Sequence, residues 1–381
     1  MQSYPGSKAK PQSKRNQQFD LLRIVFATLV LLAHAAEITD GNTSRELVHR
    51  LSGASITFGT LGVDGFFLLS GYLIVQSWLG DPDLPNFLRK RVLRIIPGYL
   101  AAVLLSTVAV GLLAPGVDHF FWRLDAHFLK SVALLSSPLT PAVLPGLPYR
   151  MVNGALYTIA YEFRCYLLVA VLGLCGVLRR CKAMLAVTAL LLGSVLYPGL
   201  FAGMHWPRYV AAVVGLPVYV FRLTAVYLVG CCFYLFRERV IFRPRFALAA
   251  AGLVALAFVF APACAELAVV LGGGYLLFYF GQMHVTWLSW MERVPDVSYG
   301  IYLYGWPVES LWVWFHRGSP WITFFASTVV CFALGWLSWE FIERPALRWK
   351  RRAAGAMFDG RLQASQDGVS GSFQPSLRDY S

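Results

Sequence analysis

Apolar residues follow one another along this chain in runs of about 18 or more without alternating, and a run of that length crosses a bilayer as a helix. The missing alternation sets aside a β-barrel, whose strands show apolar residues at every second position. The pattern predicts ten spans, at 20–37, 60–79, 92–114, 154–178, 183–201, 221–236, 246–262, 265–283, 297–315 and 320–342. Segment 207–220 is apolar too, but it is short and carries Pro207 and Pro217, so it reads as a re-entrant or interfacial stretch. Polar ends, 1–18 and 346–381, predict disordered tails around one membrane domain at 19–345. The long loop 115–153, with Pro138, Pro141, Pro145 and Pro148, is the largest connection between spans.

Composition agrees with the pattern. Hydrophobic residues make up 57% of the 381 positions and charged ones 14%, too little polar surface for a soluble domain. The fold class expected is therefore all-α, a polytopic membrane helical bundle embedded in lipid. Charge then orients it. With the N-terminus inside, 24 of the 33 Lys and Arg fall on the cytoplasmic side, and both termini are expected in the cytoplasm. Eight are expected outside, among them Arg208 and Arg222, and Arg164 lies within a span. The net charge of +13 is explained by this bias and by anionic lipid head groups, so no nucleic-acid partner is implied. The seven cysteines form no CxxC and no paired framework; they read as packing residues, with no metal site. Ala33-His34-Ala35 after an apolar run imitates a cleavage site, but Asp20, Arg23 and nine later spans favour retention of the segment.

Charged groups within spans are costly, so each invites a functional reading. Arg23 and His34 are eleven positions apart, three helical turns and roughly 20°, hence on one face and roughly 16 Å apart along the axis. One helix thereby offers a guanidinium near the cytoplasm and an imidazole toward the outside; a snorkelling Arg and a structural His are the alternative. Asp64, in Gly62-Val63-Asp64-Gly65-Phe66-Phe67-Leu68-Leu69-Ser70-Gly71, is expected at a depth comparable to His34, where it could orient the imidazole. Ser70, deeper by roughly 9 Å, suits a polar bond between helices better than a nucleophile, since no G-x-S-x-G elbow surrounds it. Arg91 and Arg94, three apart, share a helical face at the cytoplasmic end of the third span, as a phosphate site or as topological charges. Glu162 lies about 12 Å inside the fourth span and needs a partner or a proton; Arg164 points to another face.

These residues also stand in motifs. Phe19-Asp20-Leu21-Leu22-Arg23 through His34, the Gly62–Leu73 stretch, Arg91–Pro97, Glu162 with Phe163 and Tyr166, and Ser298-Tyr299-Gly300-Ile301-Tyr302-Leu303 together resemble the membrane-bound acyltransferase-3 family of O-antigen, exopolysaccharide and nodulation-factor O-acetyltransferases. The resemblance runs from about Asp20 to Pro345. It implies an inner-membrane enzyme that uses acyl-CoA, with acetyl-CoA the expected donor, and acylates a surface polysaccharide or a lipid-linked oligosaccharide. It also implies that His34 is catalytic, that Arg23, Arg91 and Arg94 face the acyl-CoA, and that Tyr302 belongs to a site motif. Tyr157-Thr158 stands where the family often has Trp-Ser, and Gly305 where it often has His, which weakens a role for the ninth span at the acceptor. The expected mechanism has His34, oriented by Asp64 or Glu162, take the proton of an acceptor hydroxyl as it attacks the thioester. A transporter using His34, Asp64 and Glu162 as a proton relay is the alternative, disfavoured by the missing internal repeat.

Overall fold

In the computed structural model, residues 16–348 are described, except 198 and 284. Most of the expected tails, 1–15 and 349–381, lie outside the described residues. The described residues form an all-α bundle with no strand. Ten helices carry the argument: α1 (Gln17–Asp40), α2 (Phe58–Gly80), α3 (Leu84–Leu113), α4 (Tyr157–Leu174), α5 (Cys181–Leu196), α6 (Pro217–Leu235), α7 (Pro244–Phe260), α8 (Pro262–Gln282), α9 (Ser298–His316) and α10 (Pro320–Arg348).

Among the described residues seven helices are long and apolar enough to cross a membrane: α1 to α4, α8, α10, and the run Tyr209–Leu235 that contains α6. The helices over the expected spans at 183–201 and 246–262 are shorter. The sequence was also read differently at 207–220. A short helix, Arg208–Val214, breaks at Gly215 (φ 101°), and α6 starts at Pro217, whose ring suits a first helical turn. Arg222, expected outside, stands near the start of α6 with its side chain 16% exposed. The tail boundaries shift as well, because Asn16 caps α1 and the last helix continues to Arg348.

Helix α1 begins where the Asn16 side chain accepts the Phe19 amide (3.1 Å) and donates to the Gly281 carbonyl (3.0 Å). It ends at Gly41, whose left-handed backbone (φ 75°) returns its N–H to the Glu37 carbonyl. Helix α1 packs against α2, α9 and α10. Its register on antiparallel α2 is fixed by small residues. A Cβ on Gly62 would meet the Phe26 carbonyl, one on Gly65 the Phe26 ring, and one on Gly59 the Ala33 methyl. Helices α2 and α6 touch through a reciprocal pair, Gly71 on the Tyr227 carbonyl and Gly230 on the Leu68 carbonyl.

Pro307 sits inside α9 and lacks the N–H that would bond the Leu303 carbonyl. Asn153, fully buried, replaces it: its side-chain amide donates to Leu303 O at 2.9 Å. Asn153 ends the 115–153 segment, which is ordered rather than a bare loop. It holds a short helix (Ala126–Ala133) and buries Val143, Leu144, Leu147 and Val152 against Ile38 and Val110, toward the C-terminal ends of α1 and α3, and against Trp306 of α9.

Candidate active site

The register of α1 on α2 sets the depth of each charged group. Phe26 meets Phe66 (ring centroids 5.8 Å) and Phe19 meets Tyr72 (5.8 Å), so Arg23 and Ser70 lie at nearly one level. By the same register Asp64 sits opposite the residues near Ala27, seven positions or about 10 Å below His34. The expected equality of depth between Asp64 and His34 does not hold, because close packing at Gly59, Gly62 and Gly65 slides α2 along α1. Asp64 is instead buried in an ion network. Arg222 of α6 donates to Asp64 (2.8 Å) and forms an ion pair with Glu266 of α8 (2.6 Å), joining three helices. One Asp64 carboxyl oxygen has no hydrogen-bond partner among the described residues.

Near the N-terminal end of α1 a cavity of about 260 Å³ opens between α1, α2, α3, α4 and α9. Arg23, Lys90, Arg91 and Arg94 line it together with Ser70, Glu162, Tyr166 and Tyr302, and its remaining wall is largely apolar, with Val63, Phe66, Phe67, Ile74 and Ile159. The three arginines read from the sequence therefore converge on one cavity, as the three-residue spacing of Arg91 and Arg94 allows. They are held differently. Arg94 bonds Asp296 (2.6 Å) and Glu343 (3.2 Å), and Arg23 lies 3.9 Å from the same Asp296 and 3.6 Å from Asp20. Arg91 donates to Ser77 (3.1 Å) and packs over the Phe87 and Tyr166 rings. Among the described residues Arg91 has no carboxylate partner, and its Nε has no hydrogen-bond partner. It is thus the guanidinium most open to an incoming anion.

On the opposite wall Ser70 Oγ (2.8 Å) and the Tyr166 hydroxyl (2.6 Å) both donate to Glu162 Oε1. Two donors meet the need for partners that burial of Glu162 creates. Arg164 faces away, over the Tyr161 ring. The upper wall is Tyr302, whose hydroxyl donates to the Ala155 carbonyl (2.8 Å), pairs closely with Thr158, and whose ring meets Phe66 (5.9 Å).

His34 lies beyond that wall and does not line the cavity. Half-buried, it packs edge-on against Trp306 (5.0 Å), one turn past Tyr302 on α9. Trp306 in turn meets Tyr149 (5.5 Å), and the Tyr149 hydroxyl lies against the carboxyl of Glu37, one turn past His34 on α1. Gly305 fits the small space that Leu31 leaves, since a Cβ there would meet the Leu31 methyl at 3.0 Å.

Several members of this arrangement were not singled out in the sequence. Arg222 carried a signal, a cation next to an apolar run, that the charge bias absorbed. Asp296 and Glu343 flank the Ser298–Leu303 motif and the last span, but only folding brings them to Arg94. Trp306, Tyr149 and Glu37 have no spacing that marks them.

The family model described as an acyltransferase domain matches residues 16–340. The chain is 25% identical over 374 residues to Nodulation protein 10 of Rhizobium leguminosarum bv. viciae, covering 90% of this chain and 96% of that protein. It is 27% identical over 155 residues to an O-acetyl transferase of Shigella phage Sf6, covering 40% of this chain and 44% of that protein. No solved structure matches.

Proposed function

Because this chain belongs to the acyltransferase-3 family, we propose that it moves an acyl group, acetyl in the simplest case, from acyl-CoA to a saccharide hydroxyl at the outer face of a bacterial inner membrane. The acceptor in this reading is a surface polysaccharide or its lipid-linked precursor, and the bundle has ten spans with both termini in the cytoplasm. One observation carries it: a basic cavity at the inner end of α1 and a histidine three turns up the same helix. Forked guanidiniums suit the phosphates of a nucleotide thioester. Arg91, the one without a carboxylate, receives them first, with Arg23 and Arg94 beside it. The apolar wall then takes the pantetheine arm toward Tyr302.

In the transfer, His34 accepts the proton of the acceptor hydroxyl while that oxygen attacks the thioester carbonyl carbon. The new C–O ester bond forms, the C–S bond breaks, and the imidazolium returns its proton to the departing thiolate. Glu162 acts from inside the cavity, where with Ser70 and Tyr166 it positions the thioester end. Asp64 serves by fixing α2, α6 and α8 through Arg222. The upper wall formed by Tyr302, Thr158 and Phe66 must part for the thioester to reach His34.

The test uses purified protein in lipid nanodiscs supplied with labelled acetyl-CoA and a saccharide acceptor. His34→Ala is expected to abolish transfer while acetyl-CoA still binds. Arg91→Ala is expected to raise the KM for acetyl-CoA by about tenfold or more, in line with about 1.5–3 kcal/mol for a charged hydrogen bond. Transfer retained by His34→Ala would overturn the mechanism, and no consumption of acetyl-CoA by the parent protein would overturn the donor.

A further inference from the structure

Beyond the Tyr302 wall, the surroundings of His34 differ from the inner cavity in both shape and charge. Trp306 lies edge-to-face against the imidazole (centroids 5.0 Å), and Tyr149 lies edge-to-face against Trp306 (5.5 Å). The Trp306 ring is 96% buried, yet its indole N–H has no hydrogen-bond partner among the described residues. Such a donor is normally satisfied when buried. Glu37 stands three residues past His34, so the two share a face of α1. Its carboxyl lies against the Tyr149 hydroxyl, within electrostatic range of Glu46 and Tyr157. Among the described residues no cation is paired with Glu37. Glu46 is buried, with one oxygen bonded to the Phe58 amide (2.7 Å) and the other without a hydrogen-bond partner among the described residues. One step deeper, Asp64 and Glu266 share the single charge of Arg222. The inner cavity, by contrast, is lined by Arg23, Lys90, Arg91 and Arg94.

We infer that Glu37, Tyr149 and Trp306 beside His34 form the acceptor subsite, and that it selects a saccharide ring carrying no negative charge. The inference rests on the transfer reading above and assigns the acceptor's chemistry. The half-exposed Tyr149 ring packs against the C–H face of a sugar, the unpartnered Trp306 indole N–H donates to a ring or hydroxyl oxygen, and the carboxyl of Glu37 accepts from a hydroxyl. A uronate ring brings a second carboxylate to the same place, and like charges held together at a binding site are strongly disfavoured. Selection against the anion is thus built from the acidic surroundings of His34.

The experiment measures binding and transfer separately, in nanodiscs holding the full chain. Methyl hexosides of gluco, galacto, manno and rhamno configuration are compared with methyl glucuronide and methyl galacturonide, first for binding by quenching of tryptophan fluorescence and then as acceptors. A neutral hexoside is expected to bind and to be acetylated with at least tenfold higher kcat/KM than either uronate. Glu37→Gln is expected to raise the acceptor KM and shrink the neutral-over-uronate ratio by fivefold or more. Tyr149→Ala is expected to weaken neutral binding, and Tyr149→Phe to restore part of it. Acetyl-CoA binding at the inner cavity, roughly 16 Å away along α1, reports that each variant is folded. Equal handling of neutral and uronate rings, no binding of any neutral ring, or ratios unmoved by Glu37→Gln and Tyr149→Ala would overturn the subsite. If saccharides bind as expected but acetyl-CoA is not consumed, the subsite stands and the donor assignment falls.

Discussion

Asn153 shows how one side chain can decide whether a helix with a proline inside it is tolerated. The Leu303 carbonyl is left without its helical partner by Pro307, and the Asn153 amide takes that place in a fully buried position. Asn153→Leu keeps the branched shape and removes the donor, together with the oxygen that accepts the Ala155 amide (3.2 Å). A buried acceptor left unpaired costs about 1–3 kcal/mol, so this variant is expected to melt at lower temperature in nanodiscs. Because Leu303 adjoins Tyr302, the upper wall of the cavity should loosen too, and acetyl-CoA hydrolysis without acceptor should rise. A melting temperature equal to that of the parent would show that water or another group satisfies the carbonyl. Nothing in the sequence pairs Asn153 with Leu303, 150 positions away; the proline was visible there, its remedy was not. Arg23 and His34 were legible for the opposite reason, since their shared face follows from the period of one helix.

Among elements, legibility stops where register begins. Helical runs, their order and the all-α class follow from apolar length, which each segment carries by itself. The depth of Asp64 does not, because it depends on how far α2 slides on α1, and that is set by the contacts of Gly59, Gly62 and Gly65. Arg222 failed for a related reason: its partners come from α2 and α8, and with neither in view a cation at the start of an apolar run looks like a loop charge. The α2–α6 contact makes the same dependence testable. Gly230 lies against the Leu68 carbonyl, and a Cβ there would strike backbone that cannot swing away. Gly230→Val is therefore expected to force the helices apart, at a cost of about 1–3 kcal/mol or more. The displacement would also disturb Asp64, Ser70 and Arg222 together, so transfer activity should fall along with stability. Gly252, with nothing near its Cβ direction, is the control: Gly252→Ala should leave both unchanged.

Across the whole molecule, the balance of charge shifts along the bundle. Guanidiniums and Lys90 gather around the inner cavity, while Glu37, Glu46, Asp64 and Glu266 are spread from mid-depth outward. If donor phosphates are held by the inner cations, the Kd for CoA should weaken as salt is raised, while binding of a neutral hexoside should hardly respond. A flat salt dependence for CoA would argue against the phosphate assignment. The pairing of Arg23 and Arg94 around Asp296 adds a condition. A donor arriving at these arginines meets a seat already taken, for Asp296 offers them what a phosphate oxygen would. Its affinity is therefore a difference between two rivals, and Asp296→Asn should let CoA bind more tightly while the empty protein, left with two under-matched cations, melts sooner. Asp296 also accepts the Ser298 hydroxyl at the first turn of α9. An evicted Asp296 would thus tug on the helix that bears Tyr302 and Trp306, and arrival on the inner side would be announced at the wall before His34.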